Sequence, residues 1–158
     1  MTMAPRPTPP VLVFGWGNPS RGDDALGPLC VQGLRNALAS SVDLECLDDY
    51  QLQVEHVLDL AGRQRVLFVD ASLDCRAPFE VTALRPARNA SVSSHALSPQ
   101  ALLQVYRDLN GEEAPACTLL AIRGEHFRLG EPPGIDALAN LQAALQWAAT
   151  WIAADRPA

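Results

Sequence analysis

Four side chains stand where this sequence could do chemistry: the adjacent acids Asp23 and Asp24, the acid Asp70, and His95. Each has an ordinary structural use. An aspartate at a helix start can cap it and favour its dipole, and one at the end of a strand can form a turn. A single loop histidine is more often a capping or solvated residue than a ligand. Their conjunction points elsewhere, because carboxylates from two loops and an imidazole from a third can meet in one crevice. Two carboxylate oxygens and one imidazole nitrogen, with positions left open, suit nickel, zinc or a similar ion. Thiolate sites are not written here, since Cys30, Cys46, Cys75 and Cys117 form no CxxC pair and read as buried or partly buried structural thiols. His56 falls inside an expected helix and reads as structural or solvated, and His126 is a weaker candidate ligand. No Ser or Cys sits in a nucleophile elbow or beside an obvious catalytic histidine.

The elements that must position these residues are legible from hydrophobic period. Val11-Leu12-Val13-Phe14 is a continuous apolar run that predicts a central strand. Leu26, Leu29, Cys30, Leu34, Ala37 and Leu38 follow at helical spacing, with Asp23 or Asp24 placed to cap that helix and Pro28 tolerated in its first turn. Val42, Leu44 and Cys46 alternate with acids as a half-exposed second strand. Val54, Val57, Leu58 and Ala61 predict a short helix stopping at Gly62. Val66 to Val69 predict a buried third strand that closes on Asp70, and Phe79, Val81 and Ala83 a weaker fourth. After a polar loop from Arg85 to Ser98 that contains His95, Ser98-Pro99 starts a helix with Leu102, Leu103, Tyr106 and Leu109 as its buried stripe. Cys117 to Ile122 is the fifth strand. Ile135, Leu138, Leu141, Leu145, Ala148, Ala149 and Ile152 mark a long amphipathic helix, with Trp147 and Trp151 packing on its apolar face.

Strands alternating with helices predict an α/β three-layer sandwich: a mostly parallel, twisted sheet of five strands with helices on both faces. The fourth strand should be antiparallel, because no helix separates it from the third. Residues 11–153 form the single expected domain, residues 1–10 a disordered proline-rich lead-in and residues 154–158 a tail. In such sheets the ligand crevice lies beyond the carboxyl ends of the strands. That rule selects Gly15 to Asp24, Asp70 to Asp74 and Ser91 to Ser98.

The first of these segments has the glycines of a dinucleotide turn but fails as one. Its third glycine comes too late, Pro19 interrupts it, and two carboxylates occupy the place where a pyrophosphate would dock. A net charge of −6 likewise disfavours nucleic acid and anionic membranes, which reward clustered Lys and Arg. With no signal-peptide-like apolar run and no stretch of membrane-spanning length, a soluble cytoplasmic protein is expected.

Val11-Leu12-Val13-Phe14-Gly15-Trp16-Gly17-Asn18 followed by Arg21-Gly22-Asp23-Asp24-Ala25-Leu26-Gly27-Pro28 resembles the strand, Gly-x-Gly-Asn turn and acidic helix start of the nickel-iron hydrogenase maturation endopeptidases. Val69-Asp70-Ala71 and Ser93-Ser94-His95-Ala96-Leu97-Ser98-Pro99 resemble that family's other two signatures, in the same order, and the likeness spans about residues 11 to 153. The resemblance implies an enzyme that trims a C-terminal extension from a hydrogenase large-subunit precursor once nickel is in place. It implies Asp24, Asp70 and His95 as catalytic metal ligands and Asp23 as a second acid that orients its neighbour. Nickel would arrive with the precursor rather than reside in the enzyme, which is expected to be a monomer. Asp48-Asp49-Tyr50-Gln51-Leu52 departs from the Gly-Thr motif of many members and, with the His95 loop, is similar to the proteases of soluble NAD-linked hydrogenases. The alternatives are a non-catalytic nickel-binding maturation chaperone and another small α/β metallopeptidase with a resident metal.

Overall fold

A computed structural model describes residues 7–38, 40–41, 43–88 and 97–154 of the chain. Among the described residues the strands are β1 (Val11–Trp16), β2 (Leu44–Asp49), β3 (Arg65–Ser72), β4 (Phe79–Ala83) and β5 (Ala116–Arg123). The helices are α1 (Leu26–Ala37), α2 (Val57–Leu60), α3 (Pro99–Asn110) and α4 (Ile135–Ala153). The strands lie in the order β2-β1-β3-β5-β4. The pairs β1–β2, β1–β3 and β3–β5 are parallel and β4 runs antiparallel to β5.

The expected three-layer α/β architecture is therefore present, with one correction to the pairing. β4 is antiparallel, as its short connection implied, yet it pairs with β5 and not with β3. The physical reason lies in burial. Val66 to Val69 of β3 are at most 1% exposed, which requires a neighbour on either edge and a helix layer on either face. Val81 to Ala83 of β4 are exposed and suit an edge.

Alternation along each strand divides the core into two layers. Val13, Leu67, Val69, Leu120 and Ile122 point to the layer where Leu26, Cys30, Val31 and Leu34 of α1 meet Leu141, Ala144 and Ala148 of α4. Leu12, Phe14, Val66 and Phe68 point the other way, onto Val57 and Leu60 of α2 and Leu102, Leu103 and Tyr106 of α3. Each such fully buried Val, Leu, Ile or Phe contributes about 1.5 to 3 kcal/mol of transfer free energy.

Helix ends follow local chemistry. The Ser98 hydroxyl accepts from the Ala101 N–H at 3.1 Å, Pro99 occupies the first turn of α3, and Gly111 ends it in the left-handed region at φ 68°. Some expected stripes are shorter than the period suggested. The segment from Val54 splits into a 3-10 turn (Val54–His56) and a four-residue helix, α2, so Val57 and Leu60 are buried while Leu58 is 77% exposed. The stripe of α3 ends at Tyr106, with Leu109 exposed, and that of α4 begins at Ala137, leaving Ile135 87% exposed. Trp147 and Trp151 pack on the α1–α4 layer, Trp147 6.0 Å from the Phe79 ring and Trp151 under the Arg65 guanidinium at 4.2 Å.

Candidate functional site

Strand parity places the first two components. In β1, Leu12 and Phe14 face the α2–α3 layer, so Trp16 continues that row; in β3, Val66 and Phe68 face the same layer and Asp70 follows them. The register pairs Gly15 with Val69, which sets Trp16 beside Asp70 at the carboxyl ends of two adjacent parallel strands. The Trp16 indole and the Ala71 N–H lie close enough to the Asp70 carboxylate to favour its charged form. The Trp16 ring packs edge-on to Phe68, with centroids 5.8 Å apart.

The turn after β1 supplies Asp24. Its Oδ2 accepts the Asn18 N–H at 2.7 Å. Gly17, at φ 146°, lies so close that a Cβ there would sit 2.0 Å from the Asp24 carbonyl oxygen and 3.2 Å from its Oδ1. Gly27, in the first turn of α1, rests directly on the end of β3: a Cβ there would meet the Val69 carbonyl oxygen at 2.9 Å. The Gly-Trp-Gly-Asn turn thus wraps one acid and seats it beside the strand end that carries the other.

The two carboxylates are electrostatically coupled. Burial, and then the negative charge of Asp24, push the Asp70 carboxyl up from 3.8 to about 7, against the opposing bonds from Ala71 and Trp16. Near neutral pH the Asp70 carboxyl is therefore poised between its acid and base forms. That is the state suited either to proton transfer or to surrendering the proton to a cation.

Neither acid caps α1, contrary to expectation. The residue before α1 is Ala25, with no side-chain cap, and α1 is entered through a 3-10 turn (Gly22–Ala25). Asp23 is 1% exposed and points away from the Asn18 turn into the loop after β5. Its Oδ2 accepts the N–H groups of Glu125 at 2.7 Å and His126 at 3.0 Å, and its Oδ1 that of Gly134 at 2.8 Å. Burial alone would raise this carboxyl, but those three donors and the nearby His126 ring outweigh it, so its pKa lies below 3.8. The Asp23 carboxylate is thus bonded to the backbone of the loop after β5, and its link to Asp24 is the peptide bond between them.

His95 lies outside the described residues, together with most of the loop that carries it. Among the described residues no three His, Cys, Asp or Glu side chains come together at metal-binding spacing. His56 is structural, as expected. Its Nδ1 accepts the Gln53 N–H at 2.8 Å, its Nε2 lies 3.1 Å from Asp49 Oδ2, and its ring stands 4.5 Å from that of Phe14. His126 is exposed beyond β5. Cys30, Cys75 and Cys117 are buried, Cys46 is partly so, and burial pushes the Cys30 and Cys117 thiols up to about 12. The component that the sequence did not announce is Trp16; its place two residues beyond Phe14 on an inward row was the available signal.

Two clefts flank the acid pair's turns. One of about 290 Å³ is lined by Gly17, Pro19, Pro28, Asp48, Asp49 and Tyr50. The other, of about 610 Å³, runs between Leu73 and the segment Glu125 to Arg128 with Glu131.

No protein-family model matches the chain, and no curated protein matches it by sequence. Solved structures do match in three dimensions. The NiFe hydrogenase maturation protease HycI from Thermococcus kodakarensis superposes with a TM-score of 0.71 at 23% identity, over 89% of this chain and 90% of that one. The hydrogenase maturating endopeptidase HybD from E. coli gives 0.71 at 24% identity, over 90% and 92%. A hydrogenase 2 maturation peptidase from a Thaumarchaeota archaeon gives 0.66 at 21%, over 90% and 97%. At such identities the likeness is one of fold, and along nearly its whole length this chain has the fold of those maturation proteases.

Proposed function

We propose that this protein is a nickel-dependent endopeptidase that removes the C-terminal extension of a nickel-iron hydrogenase large-subunit precursor after the metal has been inserted. The observation that carries the reading is the coupled acid pair, Asp24 and Asp70, at the carboxyl edge of a sheet whose fold is that of known maturation proteases. Nickel belongs to the precursor and is read by Asp24, Asp70 and His95, whose donor set of two carboxylates and an imidazole suits a borderline ion. Leu97, two residues past His95, packs against the core layer that also holds Trp16.

Once the cation is engaged, the raised Asp70 carboxyl gives up its proton and both acids hold the metal, fixing the adjacent peptide bond. With the bond fixed, a water attacking the carbonyl carbon must lose a proton and the departing nitrogen must gain one. The enzyme works in this reading as a cytoplasmic monomer, in the subgroup that serves soluble NAD-linked hydrogenases.

The test is incubation with nickel-loaded and nickel-free forms of the precursor, followed by intact-mass measurement. Loss of a single C-terminal peptide only from the nickel-loaded form is expected. Equal cleavage of both forms would show that nickel is not read. Asp24→Asn and His95→Ala should each abolish processing with an unchanged circular dichroism spectrum, and full activity in either would remove that residue from the site.

A further inference from the structure

The buried carboxylate of Asp23 is spent on neither helix capping nor a charged partner. It is the anchor of the segment between β5 and α4, residues 124–134, which has no helix or strand of its own. Three backbone N–H groups at both ends of that segment, Glu125, His126 and Gly134, converge on its two oxygens at 2.7 to 3.0 Å. The backbone beside it adds to the clamp: the Asp23 N–H donates to the His126 carbonyl at 2.7 Å, the Gly22 N–H to Glu131 at 2.9 Å, and the Gly130 N–H to Ser20 at 2.7 Å. The segment is thereby fastened to the turn that carries Asp24.

Opposite it stands the segment after β3. The Gly124 N–H donates to the Ser72 carbonyl at 2.9 Å, and the Arg123 guanidinium donates to the carbonyls of Leu73 and Cys75. Between the two segments opens the cleft of about 610 Å³, with Leu73, 53% exposed, on one wall and His126 and Arg128 on the other. One wall is the chain three residues past Asp70 and the other is fastened to the residue before Asp24, so each wall is tied through a few residues of backbone to one of the two acids.

We propose that Asp23 is a positioning residue: its carboxylate holds the 124–134 segment as one wall of the cleft that grips the precursor polypeptide, in fixed relation to Asp24. This rests on the processing reading above. A carboxylate is required because three N–H donors face two oxygens that can only accept. An asparagine would turn an NH2 group against at least one of those donors, leaving it unpaired, while keeping size and shape.

The experiment is steady-state processing of nickel-loaded precursor by the full chain. Asp23→Asn should raise KM by about 10-fold or more, the loss expected for one charged hydrogen bond, with kcat changed by less than about 3-fold. Amide hydrogen exchange at Glu125, His126 and Gly134 should quicken in the same variant. A role in folding alone would lower kcat through the folded fraction and leave KM unchanged, and that result overturns the proposal. Should Asp23→Asn not fold, the exposed pair His126→Ala with Arg128→Ala leaves the Asp23 bonds to the backbone in place; a raised KM supports the proposal and an unchanged KM overturns it. A wild-type chain that neither binds nor cleaves precursor overturns the functional reading and this inference with it, whereas a cleaving wild type indistinguishable from both variants overturns this inference alone.

Discussion

Replacing Asp70 by asparagine should stabilise the protein at alkaline pH while destroying its proposed activity. The folded state holds the Asp70 proton up to about pH 7, whereas an ordinary aspartate releases it near 3.8. Between those values the folded chain binds more protons than the unfolded chain, so stability falls as pH rises through the window, and the full penalty stands above pH 7. Converted by linkage, a shift from 3.8 to about 7 amounts to about 4 kcal/mol at pH 8 and about 2 kcal/mol at pH 5. Asparagine carries no charge to desolvate and meets no repulsion from Asp24, though pairing its new amide will offset about 1 kcal/mol. The expected gain is therefore about 3 kcal/mol at pH 8 and about 1 kcal/mol at pH 5, reaching zero at about pH 4.5 and becoming a loss of up to about 1 kcal/mol in stronger acid. Urea unfolding followed by circular dichroism, wild type against Asp70→Asn at both pH values, measures it, because titrating groups not coupled to Asp70 cancel in the difference. A gain that does not change with pH, or a loss at pH 8, would show that Asp70 is not held protonated by burial and Asp24. Activity and stability would be opposed at this position because the carboxyl whose charge costs stability is the one proposed to engage the precursor's metal.

The remaining expectations concern the turn, a cap and the thiols. Gly17→Ala places a Cβ within 2.0 Å of the Asp24 carbonyl oxygen, so the acid must move, and precursor processing should fall by about 100-fold or more while the circular dichroism spectrum is retained. Near-native processing would mean that the turn does not set the acid. Ser98→Ala removes the acceptor for the Ala101 N–H and should lower unfolding stability by about 1 kcal/mol in urea; no change would show that the bond is replaced by water. At pH 8 the partly exposed Cys46 should react with a thiol reagent before Cys30 and Cys117, whose thiols are pushed up to about 12; equal rates would contradict their burial.

Much of the architecture is written in local pattern. Val11 to Phe14 and Val66 to Val69 are apolar without interruption because strands covered on both faces have no solvent side, and Ser98-Pro99 and Gly111 mark helix ends by the bonds and φ values they allow. The strand-end rule singled out the segments holding Asp24 and Asp70 because the crevice of a parallel sheet is built from the chain at and beyond the carboxyl ends of its strands.

Other features depend on which segments meet, and no local pattern records that. The partner of β4 was decided by the burial of β3 on both edges, not by the short connection before it. Leu58, Leu109 and Ile135 keep helical spacing yet face solvent, because period fixes a face of a helix but not how far the opposing layer extends over it. Asp23 and Asp24, identical and adjacent, were interchangeable by local pattern, and only the family resemblance assigned them different roles. Their separation into a buried anchor and a crevice acid came from the loop after β5, more than a hundred positions away, whose N–H groups converge on one carboxylate and leave the other to face Asp70. The sequence by itself determined that two carboxylates would reach the edge of the sheet, because chain direction and period are local properties. Which of the neighbouring acids is available, and the proton affinity of its partner, were decided only by the tertiary structure, since burial and charge coupling are properties of what lies nearby in space.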